Sequence, residues 1–351
     1  MIRVLVAEDS PTARALLVEI LRSDPEVQVV GEAADGVMAV EMTRKLHPGV
    51  VTMDIRMPKL DGFEATRQIM VEVPTPIVIV SGSLDVRHVD VAMHALAAGA
   101  LAVLPTPRGP EAPDFDEQAR RFLDTVKAMS GVKVVRRWPE RQRPAPMPPA
   151  LPTAASSARP RVVAVAASTG GPAALATILS DLPGDFPLPV LVVQHIAPGF
   201  VDGFATWLNT TSPLRVKVAE QGEPLCARTV YVAPDQGHLG ATDRFTVTIS
   251  HAPPIDGFRP SATFLFESVA RAFGGSSVAV ILTGMGRDGA TGLRAVREAG
   301  GQILAQDEES SVVFGMPGAA ISEGLANATL PLGTIGSRLR QLASDVRTVN
   351  P

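Results

Sequence analysis

Read as a string of apolar and polar positions, the first 130 residues repeat one unit five times, a short apolar run followed by an amphipathic stretch. The runs at 2–7, 27–30, 50–53, 77–80 and 101–104 have the length and the β-branched content of buried strands. The stretches at 11–22, 36–46, 62–71, 86–98 and 116–129 place their apolar residues at helical spacing. Strands alternating with helices predict a doubly wound parallel α/β sheet over residues 1–130. From 131 to 160 the pattern dissolves into seven prolines and six basic residues against one acid, Glu140. Such a stretch predicts a semi-rigid linker.

The pattern returns at 162–167, six apolar residues in a row, followed by Ser168 where the strand should end. Thr169-Gly170-Gly171-Pro172 then turns the chain into a helix expected at 173–179. Further buried strands are expected at 190–193, 231–234, 278–282 and 302–305, with 245–249 antiparallel beside 231–234 and a helix at 290–299. Residues 161–345 are thus expected to form a second, mainly parallel α/β domain.

Composition narrows the function classes. A chain of 351 residues with 46% hydrophobic and 19% charged positions is globular and long enough for two cores. The net charge of −4 gives no general attraction to nucleic acid or anionic membrane. A lone cysteine, Cys226, leaves no internal disulfide and no multi-cysteine zinc site. The longest apolar run, 95–104, is interrupted by Gly99 and falls well short of the roughly 18 residues that a membrane span needs. Residues 1–7 enter a strand pattern with no basic start or cleavage site. The expectation is a cytoplasmic protein with no membrane insertion and no nucleic-acid partner.

The chemistry-bearing residues fall at predicted strand ends, where open α/β sheets place their ligands. Glu8 and Asp9 follow the first strand and Asp54 the third, and three acids at one sheet edge make an oxygen-rich site suited to Mg²⁺. In the second domain Ser168 precedes a glycine turn and a helix start, His195 stands just past the strand at 190–193, and Asp288 lies in the loop after 278–282. A serine, a histidine base and an orienting acid are the parts of a hydrolytic triad. His238 is a weaker base candidate. Main-chain N–H groups of Thr169 and Met285, in the two glycine-rich turns, are candidates for an oxyanion pocket. A competing reading uses Gly284, Gly286 and Gly289, which spell G-x-G-x-x-G between a strand and a helix, with Asp307 23 residues on. That reading makes the domain a dinucleotide-binding enzyme, although Asp288 inside the loop would repel a pyrophosphate. A two-domain binding protein without catalysis is the third class.

The runs V-A-E-D-S-P, M-D-I-R-M-P-K-L-D-G and V-S-G resemble a two-component receiver domain. That resemblance implies a flavodoxin-like (βα)5 fold, Asp54 as phospho-acceptor, and Ser81 as the switch hydroxyl. It also implies Mg²⁺ held by Glu8, Asp9, Asp54 and the main-chain carbonyl of Arg56, and a cognate histidine kinase as partner. Receivers usually carry lysine where this chain has Thr106, and an aromatic residue where it has Val103. Arg108 is the nearest replacement cation. The blocks A-S-T-G-G-P, Q-H-I-A-P-G-F, Y-V-A-P, R-P-S-A-T-F-L-F-E-S-V-A, I-L-T-G-M-G-R-D-G-A and V-V-F-G-M-P-G-A-A-I resemble the catalytic domain of the CheB family of chemotaxis methylesterases. This second resemblance implies hydrolysis of glutamate methyl esters on chemoreceptors, with deamidation of glutamines. It implies Ser168, His195 and Asp288 as nucleophile, base and orienting acid, no cofactor for the esterase, and a receiver that restrains the esterase until phosphorylated. Arg259 is a candidate contact for an acidic receptor face.

Overall fold

The computed structural model describes residues 1–82, 99–132, 134, 159–196 and 199–344. The helix expected at 86–98 and most of the linker lie outside the described residues. The chain divides into two compact units, Met1–Gln142 and Arg143–Pro351.

In the first unit, β1 (Ile2–Ala7), β2 (Val27–Ala33), β3 (Val50–Met53), β4 (Ile77–Ser81) and β5 (Ala102–Pro105) form one sheet in the order β2-β1-β3-β4-β5. Every pairing is parallel. This is the flavodoxin-like order, and its direction of winding reverses between β1 and β3. The reversal opens a crevice at the carboxyl ends of those two strands, where Glu8, Asp9 and Asp54 lie. Local chemistry starts three of its helices. Ser10 accepts from Ala13 N, Asp35 from Met38 N and Asp61 from Glu64 N, each capping an orphan donor of the first turn.

The second unit is built on β6 (Val162–Ala167), β7 (Val190–Gln194), β8 (Arg215–Val218), β9 (Thr229–Val232), β12 (Ser277–Ile281), β13 (Gln302–Gln306) and β14 (Ala328–Leu330). These seven strands run in the order β14-β13-β12-β6-β7-β9-β8, all pairs parallel. β6, β7 and β12 are buried at every position, as their largely apolar sequences require, with only Gln194 and Ser277 polar among them. The chain begins this sheet at its centre with β6, winds out through β7, and later returns to the other side of β6 as β12. The switch point therefore lies at β6, beside Ser168.

The expected antiparallel strand sits elsewhere. β11 (Val247–Ser250) pairs with β10 (His238–Ala241) in a separate two-stranded sheet, not with the strand ending at Val232. A short turn decides this, with Thr242 N bonded to Thr246 O and Phe245 at a positive φ of 61°, so the partner is the nearest segment in sequence. His-Leu-Gly-Ala gives little strand signal of its own.

Candidate functional sites

At the first unit's crevice, Glu8, Asp9 and Asp54 each present a carboxylate oxygen, all within 4.8 Å of one another. Glu8 and Asp54 are buried and Asp9 is exposed. Arg56 N donates to Asp54 Oδ2 at 3.0 Å, and the Ser81 hydroxyl is also hydrogen-bonded to the Asp54 carboxylate. Gly62 has no side chain because the Asp54 carbonyl would lie 2.1 Å from its Cβ. Burial raises the Asp54 carboxyl in spite of those hydrogen bonds. Burial, then the neighbouring charges of Asp54 and Asp9, push Glu8 up to about 7.

None of the ion pairs among the described residues involves these three acids. Thr106 N donates to Ser81 O at 3.2 Å, so threonine does occupy the position beside β4 where a receiver lysine is expected. Arg108 does not replace it. Its guanidinium pairs with Asp114 and its main-chain N–H donates to Gln118 Oε1, at the start of the helix Phe115–Ser130. Three crowded carboxylates fit a small hard divalent ion, whose charge would relieve their repulsion.

That crowding has a measurable consequence. Glu8 titrates higher folded than unfolded, so its contribution to stability is complete below the unfolded value of 4.5 and is lost as pH rises through about 7. Without divalent ions the full chain's receiver transition should melt higher at about pH 5 than at about pH 8, and Mg²⁺ should stabilise it far more at the higher pH. Equal Mg²⁺ stabilisation at both pH values in thermal melts would contradict this.

In the second unit, parallel pairing sets Ala167 against Gln194, and His195 N donates to Ala167 O at 3.0 Å. Ser168 and His195 therefore leave neighbouring strands side by side. Ser168 N donates to Thr283 O on the other flank, which ties β12's exit to the same point. Gly284 allows this approach, since a Cβ there would lie 2.8 Å from Ser168 Cβ and 2.3 Å from Met316 Sδ.

Asp288 is buried, and four donors converge on it. Oδ1 accepts from Ser261 Oγ at 2.9 Å and Thr263 N at 3.1 Å. Oδ2 accepts from Ala262 N at 2.7 Å and pairs with His195 Nε2 at 3.0 Å. Ala262 and Thr263 open the helix Ala262–Phe273, so the carboxylate sits on free N–H groups at a helix start. Burial alone would raise the Asp288 carboxyl, but the bonds from His195 and from the Ala262 and Thr263 N–H groups hold it below its ordinary value. An ionised carboxylate can only accept, so His195 Nε2 carries the hydrogen in that pair. The other ring nitrogen, Nδ1, is buried and has no hydrogen-bond partner. A neutral imidazole so held keeps its lone pair on Nδ1, where it can take a proton.

Phe258 lies flat against His195, with ring centroids 4.2 Å apart and planes 10° from parallel. The aromatic face limits imidazole rotation and would stabilise an imidazolium. Phe258→Leu should lower kcat about 3- to 30-fold, since an imidazolium at His195 loses its ring. An unchanged kcat in a folded Phe258→Leu variant would reduce Phe258 to packing.

Other sequence candidates are reassigned. His238 is fully buried, accepts from Ser261 N at Nδ1 and bonds Pro253 O through Nε2, so both nitrogens are occupied and it serves the fold. Arg259 donates to Gln236 Oε1 at 2.6 Å and Ala252 O at 3.4 Å, anchoring its turn. Within the G-x-G-x-x-G loop, Gly284 is filled by Ser168 and Met316, and Asp288 points into the protein. Asp307 accepts from Ser310 N and Ser310 Oγ in its own turn. Those contacts account for the residues that the dinucleotide reading needed. Neither Thr169 N nor Met285 N is a hydrogen-bond donor among the described residues. Sequence reasoning missed Phe258, Ser261 and Thr283. Ser261 alone left a signal, as a serine directly before an apolar helical run.

An acid-lined flavodoxin-like unit followed by an α/β unit, with serine, histidine and buried aspartate at its switch point, defines a response regulator with an enzymatic output domain. A family model for the response regulator receiver domain matches residues 4–112, and one for the CheB methylesterase matches 163–339. The chain belongs to the CheB methylesterase family. It is 60% identical over 339 residues, covering 96% of each chain, to protein-glutamate methylesterase/protein-glutamine glutaminase 4 of Myxococcus xanthus. It is 56% identical to enzyme 3 of the same name from Anaeromyxobacter dehalogenans, over 97% of this chain and 98% of that one. Among solved structures, the catalytic domain of Thermotoga maritima CheB methylesterase is 41% identical and covers 52% of this chain and 98% of its own, with a TM-score of 0.51.

Proposed function

We propose that this protein hydrolyses glutamate methyl esters on the cytoplasmic helices of chemoreceptors, releasing methanol, and deamidates selected receptor glutamines by the same route. The observation that carries the reading is the 3.0 Å pair between His195 Nε2 and Asp288, with Nδ1 left open on the strand beside Ser168.

Ser168 Oγ attacks the ester carbonyl while His195 Nδ1 takes its proton. Asp288 keeps the imidazole in the required tautomer and stabilises the cation. The oxyanion is received by the main-chain N–H groups of Thr169 and Met285. His195 then returns the proton to the leaving methoxide, giving methanol and an acyl-enzyme. A water activated by His195 cleaves that ester, restoring Ser168 and leaving glutamate. A glutamine side chain enters the same cycle with ammonia as the leaving group. Release of labelled methanol from methyl-labelled receptor cytoplasmic domain tests this, and no release above a protein-free control sinks it.

In the receiver, Asp54 is the phospho-acceptor, served by a histidine kinase in the cytoplasm. Mg²⁺ held by Glu8, Asp9, Asp54 and the Arg56 carbonyl would offset the charge of an incoming phosphoryl group. Ser81, already bonded to Asp54, is placed to follow that group once transferred. Phosphorylation relieves the receiver's restraint on the esterase. Acetyl phosphate should raise the full chain's methanol release, and Asp54→Asn should remove the response. An unchanged rate with phosphodonor in the unsubstituted chain would mean that Thr106, lacking the lysine charge, leaves the switch uncoupled.

A further inference from the structure

Gln194 ends β7 one residue before His195 and is almost wholly buried. Its single amide nitrogen donates to two main-chain carbonyls, Ser168 O at 2.8 Å and His195 O at 2.9 Å. Its oxygen, Oε1, is buried with no hydrogen-bond partner. Burying an unpartnered acceptor opposes folding, so an apolar side chain of this size would suit the core better. What the carboxamide supplies is the pair of donated bonds.

Those bonds fall on one particular peptide plane. The Ser168 carbonyl and the Thr169 N–H belong to the same planar trans unit and point in opposite directions. Holding Ser168 O therefore aims Thr169 N–H the other way. Gly171 N also donates to Ser168 O, at 2.8 Å, and Thr283 Oγ1 holds the next carbonyl, Thr169 O, at 2.9 Å. Thr169 is thus fixed from both sides with its own N–H left undonated. The remaining bond, to His195 O, references the base to the same side chain.

We propose that Gln194 is a positioning residue that presets the Thr169 N–H as an oxyanion donor and holds Ser168 and His195 in a common frame. This rests on the serine-hydrolase reading above and deepens it. Gly171 belongs to the device, because a Cβ there would lie 2.0 Å from Gln194 Oε1. The absence of that carbon gives the carboxamide room to lie under the turn.

The test uses the full chain with Gln194→Glu, Gln194→Met and Gly171→Ala, assayed for methanol release and for inhibition by phenylboronic acid. The boronic acid forms a tetrahedral anionic adduct on an active serine and so reports on the oxyanion pocket. An interaction made only in the transition state lowers kcat without raising KM. Each variant should lose about 10- to 100-fold in kcat, somewhat less than outright loss of an oxyanion donor, with KM within about twofold. The inhibition constant of the boronate should rise by a similar factor. Folded variants with the parent kcat overturn the proposal, as do variants whose kcat falls while boronate affinity stays at the parent value. If Gln194→Glu melts early, Gly171→Ala decides by the same two readings, since it displaces the carboxamide without removing it. Turnover surviving Ser168→Ala would overturn the serine reading itself, whereas loss there with parent-like Gln194 variants overturns only the positioning role.

Discussion

Replacing Ser168 by alanine should reduce methanol release to background. Removing the nucleophile of a serine triad costs roughly a millionfold in turnover, because no other group can form the acyl intermediate. The substitution is structurally mild. Alanine keeps the Cβ against which Gly284 packs, and the main-chain bonds of residue 168, from its N–H to Thr283 O and to its carbonyl from Gln194 and Gly171, need no hydroxyl. The variant should therefore melt with the parent and still bind methylated receptor. A folded Ser168→Ala protein with measurable turnover would remove the serine from the chemistry and require another nucleophile.

Asp288→Asn should lower kcat by about 10⁴ with little change in KM, and should also lower the melting temperature. The geometry gives both effects one cause. Asp288 offers two acceptor oxygens to four donors, whereas an asparagine has one acceptor and one NH₂ group. If the amide oxygen faces His195 and Ala262 N, the NH₂ confronts Thr263 N–H at the helix start. If it faces the other way, the NH₂ confronts Ala262 N–H and His195 Nε2, which forces the hydrogen onto Nδ1 and removes the base. Circular dichroism melts and a pH profile of the residual rate would separate the parts. A variant that melts early but retains turnover would make Asp288 a helix cap only.

Much of this was legible along the chain because it is local. Six apolar residues before Ser168 specify a strand buried on both faces, and the glycines after it specify a turn into a helix. The same holds for Glu8, Asp9 and Asp54, each following an apolar run. In α/β sheets the carboxyl ends of strands share one edge, so residues far apart in sequence are assigned to one neighbourhood before any coordinates are known. The two resemblances then implied roles for those residues.

The misses share a reason. His238 reads like His195, a histidine in a turn near a strand, and only the contacts at both ring nitrogens separate a satisfied structural imidazole from one with an open nitrogen. Arg108 sits near Thr106 in sequence, yet its guanidinium is engaged by Asp114. Phe258 and Ser261 lie in a loop without periodic pattern, and their contacts to His195 and Asp288 span more than 20 residues.

By itself the sequence determined the two α/β units, the strand-end positions of the chemical groups, and the absence of a lysine at Thr106, since periodicity, turn chemistry and residue identity are local properties. Only the tertiary structure decided which ring nitrogen of His195 is engaged, that Asp288 lies on the helix start at Ala262, that the Gly284 loop packs on Ser168 instead of cradling a phosphate, and that Gln194 reaches both strand ends. Those outcomes depend on distances between segments brought together by sheet order and packing, which the spacing of residues along one chain does not encode.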